Sequence, residues 1–246
     1  MTRRIENSIE VPGTPEEVWE AIATSHGIEC WFVPAQVQDG RVALDMGGGM
    51  EDAGPVVVSD APRRFVYEEV WEAVEGEPPG RLASEFLVEA KAGGTCVVRL
   101  VSTLHADGEG WDEVLDSMYQ GWETFLLNLR AYLTYFPGQR CATVMASGTG
   151  EWQELVAGLG LAGAEAGDRV RTPHAPVLAG TVEYRGEREL LLRLDEPAPG
   201  LGLVYAYDWQ GTTRTIIHLY LFEGSAEVAT REAPAWRDWM AVPSAR

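Results

Sequence analysis

Glu69 is the residue best placed to do chemistry. The alternation Phe65, Tyr67, Glu69, Trp71 sets its carboxylate on the same strand face as three aromatic rings. Turned into an apolar interior, the group would have a raised pKa and could orient a ligand or accept a proton. A bulge or a register slip would turn it to solvent instead, and of the like-charged pair Glu68-Glu69 at least one member must already face out. The four histidines, His26, His105, His174 and His218, are scattered and no spacing repeats. His26 and Cys30 are four apart, as two ligands on one helix face would be, but Gly27 between them argues against a continuous helix, and no metal is expected. Cys30, Cys96 and Cys141 have no second cysteine close by and are read as reduced thiols. Gly47-Gly48-Gly49 leads into Glu51-Asp52, with neither a lysine nor a helix start after it, so it is no phosphate loop. No cofactor and no catalytic constellation is read from these residues.

The elements that must position Glu69 are legible as patterns. Residues 3–11 alternate as a strand. Thr14-Pro15-Glu16-Glu17 offers a hydroxyl N-cap, proline at the first helical position and glutamate at the third, so a helix should start at Pro15 and bury Val18, Trp19 and Ile22. Ser25-His26-Gly27 is expected to stop it, before a turn carrying Trp31 and Phe32. From Pro34 to Leu104 the period becomes two. Turn signals at Asp39-Gly40, Gly47-Gly48-Gly49, Asp60-Ala61-Pro62, Pro78-Pro79-Gly80 and Gly93-Gly94 leave room for six antiparallel strands. Leu82, Ser84, Phe86 and Val88 share one face, as do Cys96, Val98, Leu100, Ser102 and Leu104. The cover for that face is a helix over 111–136, whose Trp111, Leu115, Met118, Trp122, Phe125, Leu129, Tyr132 and Phe136 form one apolar stripe. Gly121 inside it costs about 1 kcal/mol against alanine, which points to close approach of the helix to a strand or a bound molecule.

The Pro15-Glu16-Glu17-Val18-Trp19 helix start, the stretch from Asp60 to Tyr67 and the Gly121-Trp122 helix resemble the START-like helix-grip superfamily, also called SRPBCC. Within it they are most similar to the branch named for homologues of the activator of the heat-shock-protein-90 ATPase, over residues 1–137. The resemblance implies an α+β fold, a seven-stranded sheet gripping its C-terminal helix around a hydrophobic cavity. Members bind lipids, sterols, polyketides or hormone-like molecules; some catalyse cyclisation or aromatisation, and some assist a chaperone. Most bacterial members of the branch match only the domain, so fold transfers better than function. The cavity implied here is lined by Trp31, Phe32, Tyr67, Glu69, Trp71, Phe86, Leu100, Met118, Trp122 and Phe125. The leading expectation is a non-catalytic protein holding an apolar or aromatic small molecule there. The alternatives are a cyclase or aromatase with Glu69 as general base, and a protein-interaction module acting beside a chaperone or regulator. A homodimer or a protein partner stays open.

Residues 138–246 read as a degenerate second helix-grip. Gly13-Thr14-Pro15-Glu16 has a counterpart in Gly148-Thr149-Gly150-Glu151, each after an apolar strand and before a helix. Strands over 177–184, 189–194, 203–207 and 213–222 follow, with turns at Arg185-Gly186, Pro197 to Gly200 and Gln210-Gly211, then a closing helix over 226–240 with Trp236 and Trp239. Pro234 should kink or restart that helix. So shortened a copy is expected to hold a smaller cavity or none, as a lid or packing partner.

The 246 residues carry 19 basic against 38 acidic side chains, a formal net charge of -19, which disfavours nucleic acid and anionic membranes as partners. With no apolar run near a membrane span and no signal-peptide pattern at the start, a cytoplasmic location is expected. The basic residues are arginines apart from Lys91, which fits a GC-rich genome.

Overall fold

A computed structural model describes residues 1–47, 50–71, 77–108, 110–173, 176–209 and 211–241. Gly48, Gly49, His174 and Gln210 lie outside the described residues. The chain separates into two compact units, Met1–Gly138 and Gln139–Arg246.

The first unit runs β1 (Thr2–Pro12), α1 (Pro15–Ala23), α2 (Ser25–Glu29), β2 (Ala35–Gln38), β3 (Arg41–Gly47), β4 (Met50–Asp60), β5 (Arg64–Trp71), β6 (Gly80–Lys91), β7 (Thr95–His105) and α3 (Trp111–Tyr135). Its seven strands are antiparallel in the order β1-β7-β6-β5-β4-β3-β2, and the sheet and its helices make an α+β helix-grip. Strict alternation explains the buried face: Leu82, Ser84, Phe86 and Val88 of β6 and Cys96, Val98, Leu100, Ser102 and Leu104 of β7 all point inward. The β6–β7 turn sets how they pair. Gly93 and Gly94 both adopt positive φ, 91° and 79°, where a side chain would be strained, and the tight turn sets Lys91 opposite Thr95. Counting down the ladder from there, Phe86 falls opposite Leu100 and Ser84 opposite Ser102.

The start of α1 forms as its residues require: Thr14 Oγ1 accepts from the Glu17 amide at 3.3 Å, and Glu17 Oε2 accepts from the Thr14 amide at 2.8 Å. The expected stop at Ser25-His26-Gly27 is a correction, because those residues open α2. Thr24 ends α1 and also caps α2, its hydroxyl accepting from the Gly27 amide at 3.0 Å. Gly27 is there because α2 crosses α1 closely, and a β-carbon on it would collide with the Glu20 carbonyl. Of the two alternatives for Gly121, close approach to a strand is likewise corrected, since a β-carbon there meets no described atom within 4 Å. The close approach between α3 and the sheet is at Gly80, where an added β-carbon would lie 3.0 Å from the Trp111 ring. The stripe on α3 is otherwise as expected, with Trp111, Leu115, Trp122, Phe125, Leu129 and Tyr132 buried and Met118 half-buried.

The second unit runs β8 (Ala142–Thr149), α4 (Trp152–Gly158), β9 (Arg169–Arg171), β10 (Ala179–Arg185), β11 (Glu189–Glu196), β12 (Gly200–Trp209), β13 (Thr212–Leu221) and α5 (Ala226–Ala241). Its sheet order is β8-β13-β12-β11-β10-β9. In each unit the first strand therefore pairs with the last and the others follow in descending order. Its inner face packs as an apolar cluster that includes Val144, Trp152, Leu192, Val204, Ile217, Leu219 and Trp236. Pro234 does not interrupt α5, which continues through it to Ala241, so the expected restart is corrected. The short β9 has too few residues to show a period and was not expected from the pattern.

Candidate functional site

The inward face of the first sheet is ordered in rows by its register. One row is Phe65–Phe86–Leu100–Asn7, the next Tyr67–Ser84–Ser102–Ile5, the third Glu69–Leu82–Leu104–Arg3. Two serines thus sit at the centre of a face whose other rows carry large side chains. The loop after α2 brings Trp31 and Phe32 to this face, tied down by two buried bonds. Trp31 Nε1 donates to the Ala21 carbonyl at 2.9 Å, and Asn128 Nδ2 of α3 donates to the Trp31 carbonyl at 2.7 Å.

Five of the expected aromatics meet ring to ring. Phe32 is their hub, 4.8 Å from Trp122, 4.7 Å from Phe125 and 5.6 Å from Trp31 between centroids, and Phe86 lies 6.2 Å from Trp122. Leu100 is opposite Phe86, and Tyr67 packs with Phe65 at 6.0 Å. Glu69 is on the inner face and 5% exposed, and its Oε2 accepts from Trp71 Nε1 at 3.1 Å. Trp71 and Met118 are half-buried. Two surface depressions, one of about 300 Å³ beside Arg63, Leu87 and Arg99 and one of about 290 Å³ beside Thr2, Pro79 and His105, contain none of these residues.

Sequence reasoning did not single out the polar atoms that stand out in this interior. Ser84 Oγ, Ser102 Oγ, Trp122 Nε1, Asn7 Oδ1 and Asn128 Oδ1 are buried with no hydrogen-bond partner among the described residues. Folded proteins leave only a few such atoms per hundred residues, and each costs about 1–3 kcal/mol. Serine at core spacing between leucine and phenylalanine was the available signal; the pairing across strands came only with the register.

His26 and Cys30 do share a face of α2, with Sγ 3.7 Å from Nδ1, and among the described residues no third metal-ligating side chain joins them. Burial pushes the Glu29 carboxyl up from its ordinary value. Among the described residues no helix is long and apolar enough to cross a membrane.

Several solved structures resemble the chain. CalU16 from Micromonospora echinospora is 21% identical, with 53% of this chain and 74% of that one covered at a TM-score of 0.41. The di-domain ARO/CYC BexL of the BE-7585A biosynthetic pathway is 14% identical, with 94% and 88% covered at 0.49. The Aha1 dimer from Colwellia psychrerythraea is 18% identical, with 53% and 96% covered at 0.43. No curated protein sequence matches. Residues 12–134, half of the chain, match the family described as Activator of Hsp90 ATPase homolog 1-like protein. The chain belongs to that family, within the helix-grip superfamily its first unit resembles.

Proposed function

We propose that the first unit binds an apolar or aromatic small molecule between its sheet and α3, with Trp122 and Tyr67 supplying stacking surface. The observation that carries this reading is the buried polar content of an otherwise aromatic interior: Glu69, Ser84, Ser102 and the Trp122 N–H. The second unit serves as an internal comparison. We infer that it is a shortened copy of the first, supported by the shared strand order, and its inner face is filled by an apolar cluster in which Trp236 Nε1 is also buried without a partner but, among the described residues, no hydroxyl is. An interior serving stability alone would resemble that cluster, because unpaired buried hydroxyls weaken a core. Those of the first unit are accounted for if a ligand satisfies them. The expected lining is Trp31, Phe32, Tyr67, Glu69, Trp71, Phe86, Leu100, Met118, Trp122 and Phe125.

The test is titration of the full chain with 1-aminoanthracene, whose fluorescence rises on leaving water. A saturable one-to-one rise is expected, at least about tenfold weaker in Trp122→Leu, since a large ring contact is lost. A rise that does not saturate, or one that Trp122→Leu leaves in place, contradicts the reading. The inward burial of Glu69 favours a second reading, a cyclase-type enzyme with that carboxylate as base. Turnover abolished by Glu69→Gln would be its signature.

A further inference from the structure

We propose that Ser84 and Ser102 form the polar anchor of this interior and that its lack of an available cation sets the sign of what it accepts. The ligand is then a neutral aromatic molecule bearing a hydroxyl group, and its carboxylate analogues are rejected. This rests on the ligand-binding reading above and narrows it.

The two serines are direct cross-strand partners on β6 and β7, 1% and 0% exposed. Directly opposed residues hold their β-carbons about 4.5–5.5 Å apart, close enough for one oxygen atom to bridge the two hydroxyls. Yet neither hydroxyl bonds the other or any other described residue. A ligand hydroxyl suits this place because it can accept from one serine while donating to the other, and each serine can take either role. Tyr67 lies opposite Ser84 in the same row, and Phe86 stands two residues along β6 against the Trp122 ring, so the anchor is flanked by aromatic surface. An aromatic ring carrying the hydroxyl fits those walls.

The sign follows from charge. Glu69 lies in the row next to the serines, 5% exposed, its carboxylate held by the Trp71 N–H. Along the described inward positions of β1, β5, β6 and β7 the one basic side chain is Arg3, and its guanidinium is already engaged. It pairs with Asp112 at 2.5 Å and donates to the carbonyls of Ala106 at 3.0 Å and Gly108 at 2.5 Å. A carboxylate ligand would lose its hydration in this interior, where the one basic side chain at these positions is already engaged. The net charge of -19 adds to this at long range.

Equilibrium dialysis of the full chain at neutral pH with naphthalene, 2-naphthol and 2-naphthoate tests the proposal without any variant. The expected ranking has 2-naphthol about tenfold tighter than naphthalene, the gain of one buried hydrogen bond or slightly more, with no measurable binding of 2-naphthoate. The Ser84→Ala/Ser102→Ala variant, checked for folding by circular dichroism, is expected to bring 2-naphthol down to the affinity of naphthalene. Equal binding of naphthalene and 2-naphthol, or binding of 2-naphthoate as tight as that of 2-naphthol, overturns this proposal while leaving the broader reading intact. A preference for 2-naphthol that survives in the double serine variant overturns the role of the pair. Failure of all three compounds to bind the unaltered chain overturns the broader reading itself, and this proposal with it.

Discussion

Gly27→Ala is expected to lower the unfolding free energy by on the order of 3 kcal/mol, an unusually large effect for one added methyl group. The new β-carbon would collide with the Glu20 carbonyl oxygen and lie 2.7 Å from Ala21 Cα. Both are backbone atoms of α1, so no rotamer change relieves the contact, and α2 must move away. That carbonyl also accepts from the Thr24 hydroxyl at 2.7 Å, which fixes the junction of the two helices. Displacing α2 uncovers Ile28 and loosens the bond from Trp31 Nε1 to Ala21, so the loop that presents Trp31 and Phe32 loses its anchor. Gly121→Ala is the matched control. It also adds a methyl group inside a helix, but into open space, and is expected to raise stability by up to about 1 kcal/mol. Urea denaturation of both variants, followed by circular dichroism, should move the midpoints in opposite directions. Equal midpoints would contradict the close crossing of α1 and α2.

Acidification is expected to cost the chain about 4–5 kcal/mol through His218 alone. This residue is fully buried on β13, its ring stacked on Tyr220 with centroids 4.2 Å apart and its Nδ1 2.9 Å from the Tyr220 hydroxyl. Burial lowers its pKa from 6.5 to about 3. Above pH 6.5 the ring is neutral in both the folded and the unfolded chain, and nothing is lost. Between 6.5 and 3 the unfolded chain binds a proton that the folded chain refuses, so stability falls by about 1.4 kcal/mol per pH unit. Below 3 both states are protonated and the difference no longer grows. Asp208, held down to about 2 by its bonds to Arg188 and Thr213, changes stability in the same direction as the pH falls below its ordinary 3.8. The informative quantity is therefore the difference between the chain and His218→Gln, in which the carboxylate contributions cancel. Denaturation series from pH 7.5 to 4 should give a flatter profile for His218→Gln. Parallel profiles would refute the assignment.

Much of this architecture could be read from the residues because period-two alternation and glycine turns act locally. The Thr14 capping box, the meander from Pro34 to Leu104 and the stripe on α3 all follow from neighbouring side chains alone. The failures share a cause, in that each depended on something distant in sequence. Gly27 resembles a helix breaker until α1 is seen lying against it. Gly121 resembles a contact point until the space beside it proves open, and Gly80, a plain turn residue in the sequence, turns out to carry the contact with Trp111. Pro234 breaks a helix on local grounds, yet α5 runs through it. The same limit applied at the candidate site. The inward turn of Glu69 was one of two outcomes that alternation allowed. Ser84 and Ser102 were each visible as polar residues at core spacing, but their meeting depends on the turn at Gly93-Gly94, several residue pairs away along the ladder.

The indole N–H of Trp122 gives the most direct test that the first unit's interior is a binding site. It is a buried donor with no partner among the described residues, on the side chain that touches Phe32, Phe86 and Phe125. In a full chain labelled with nitrogen-15 at tryptophan, its resonance can be assigned by its loss in Trp122→Phe and followed during titration with 2-naphthol. The account predicts a shift of that signal saturating at one equivalent, while Trp236, whose Nε1 is likewise buried without a partner but lies in the second unit, stays in place. A Trp122 resonance unmoved at saturating 2-naphthol, with or without movement at Trp236, would contradict it.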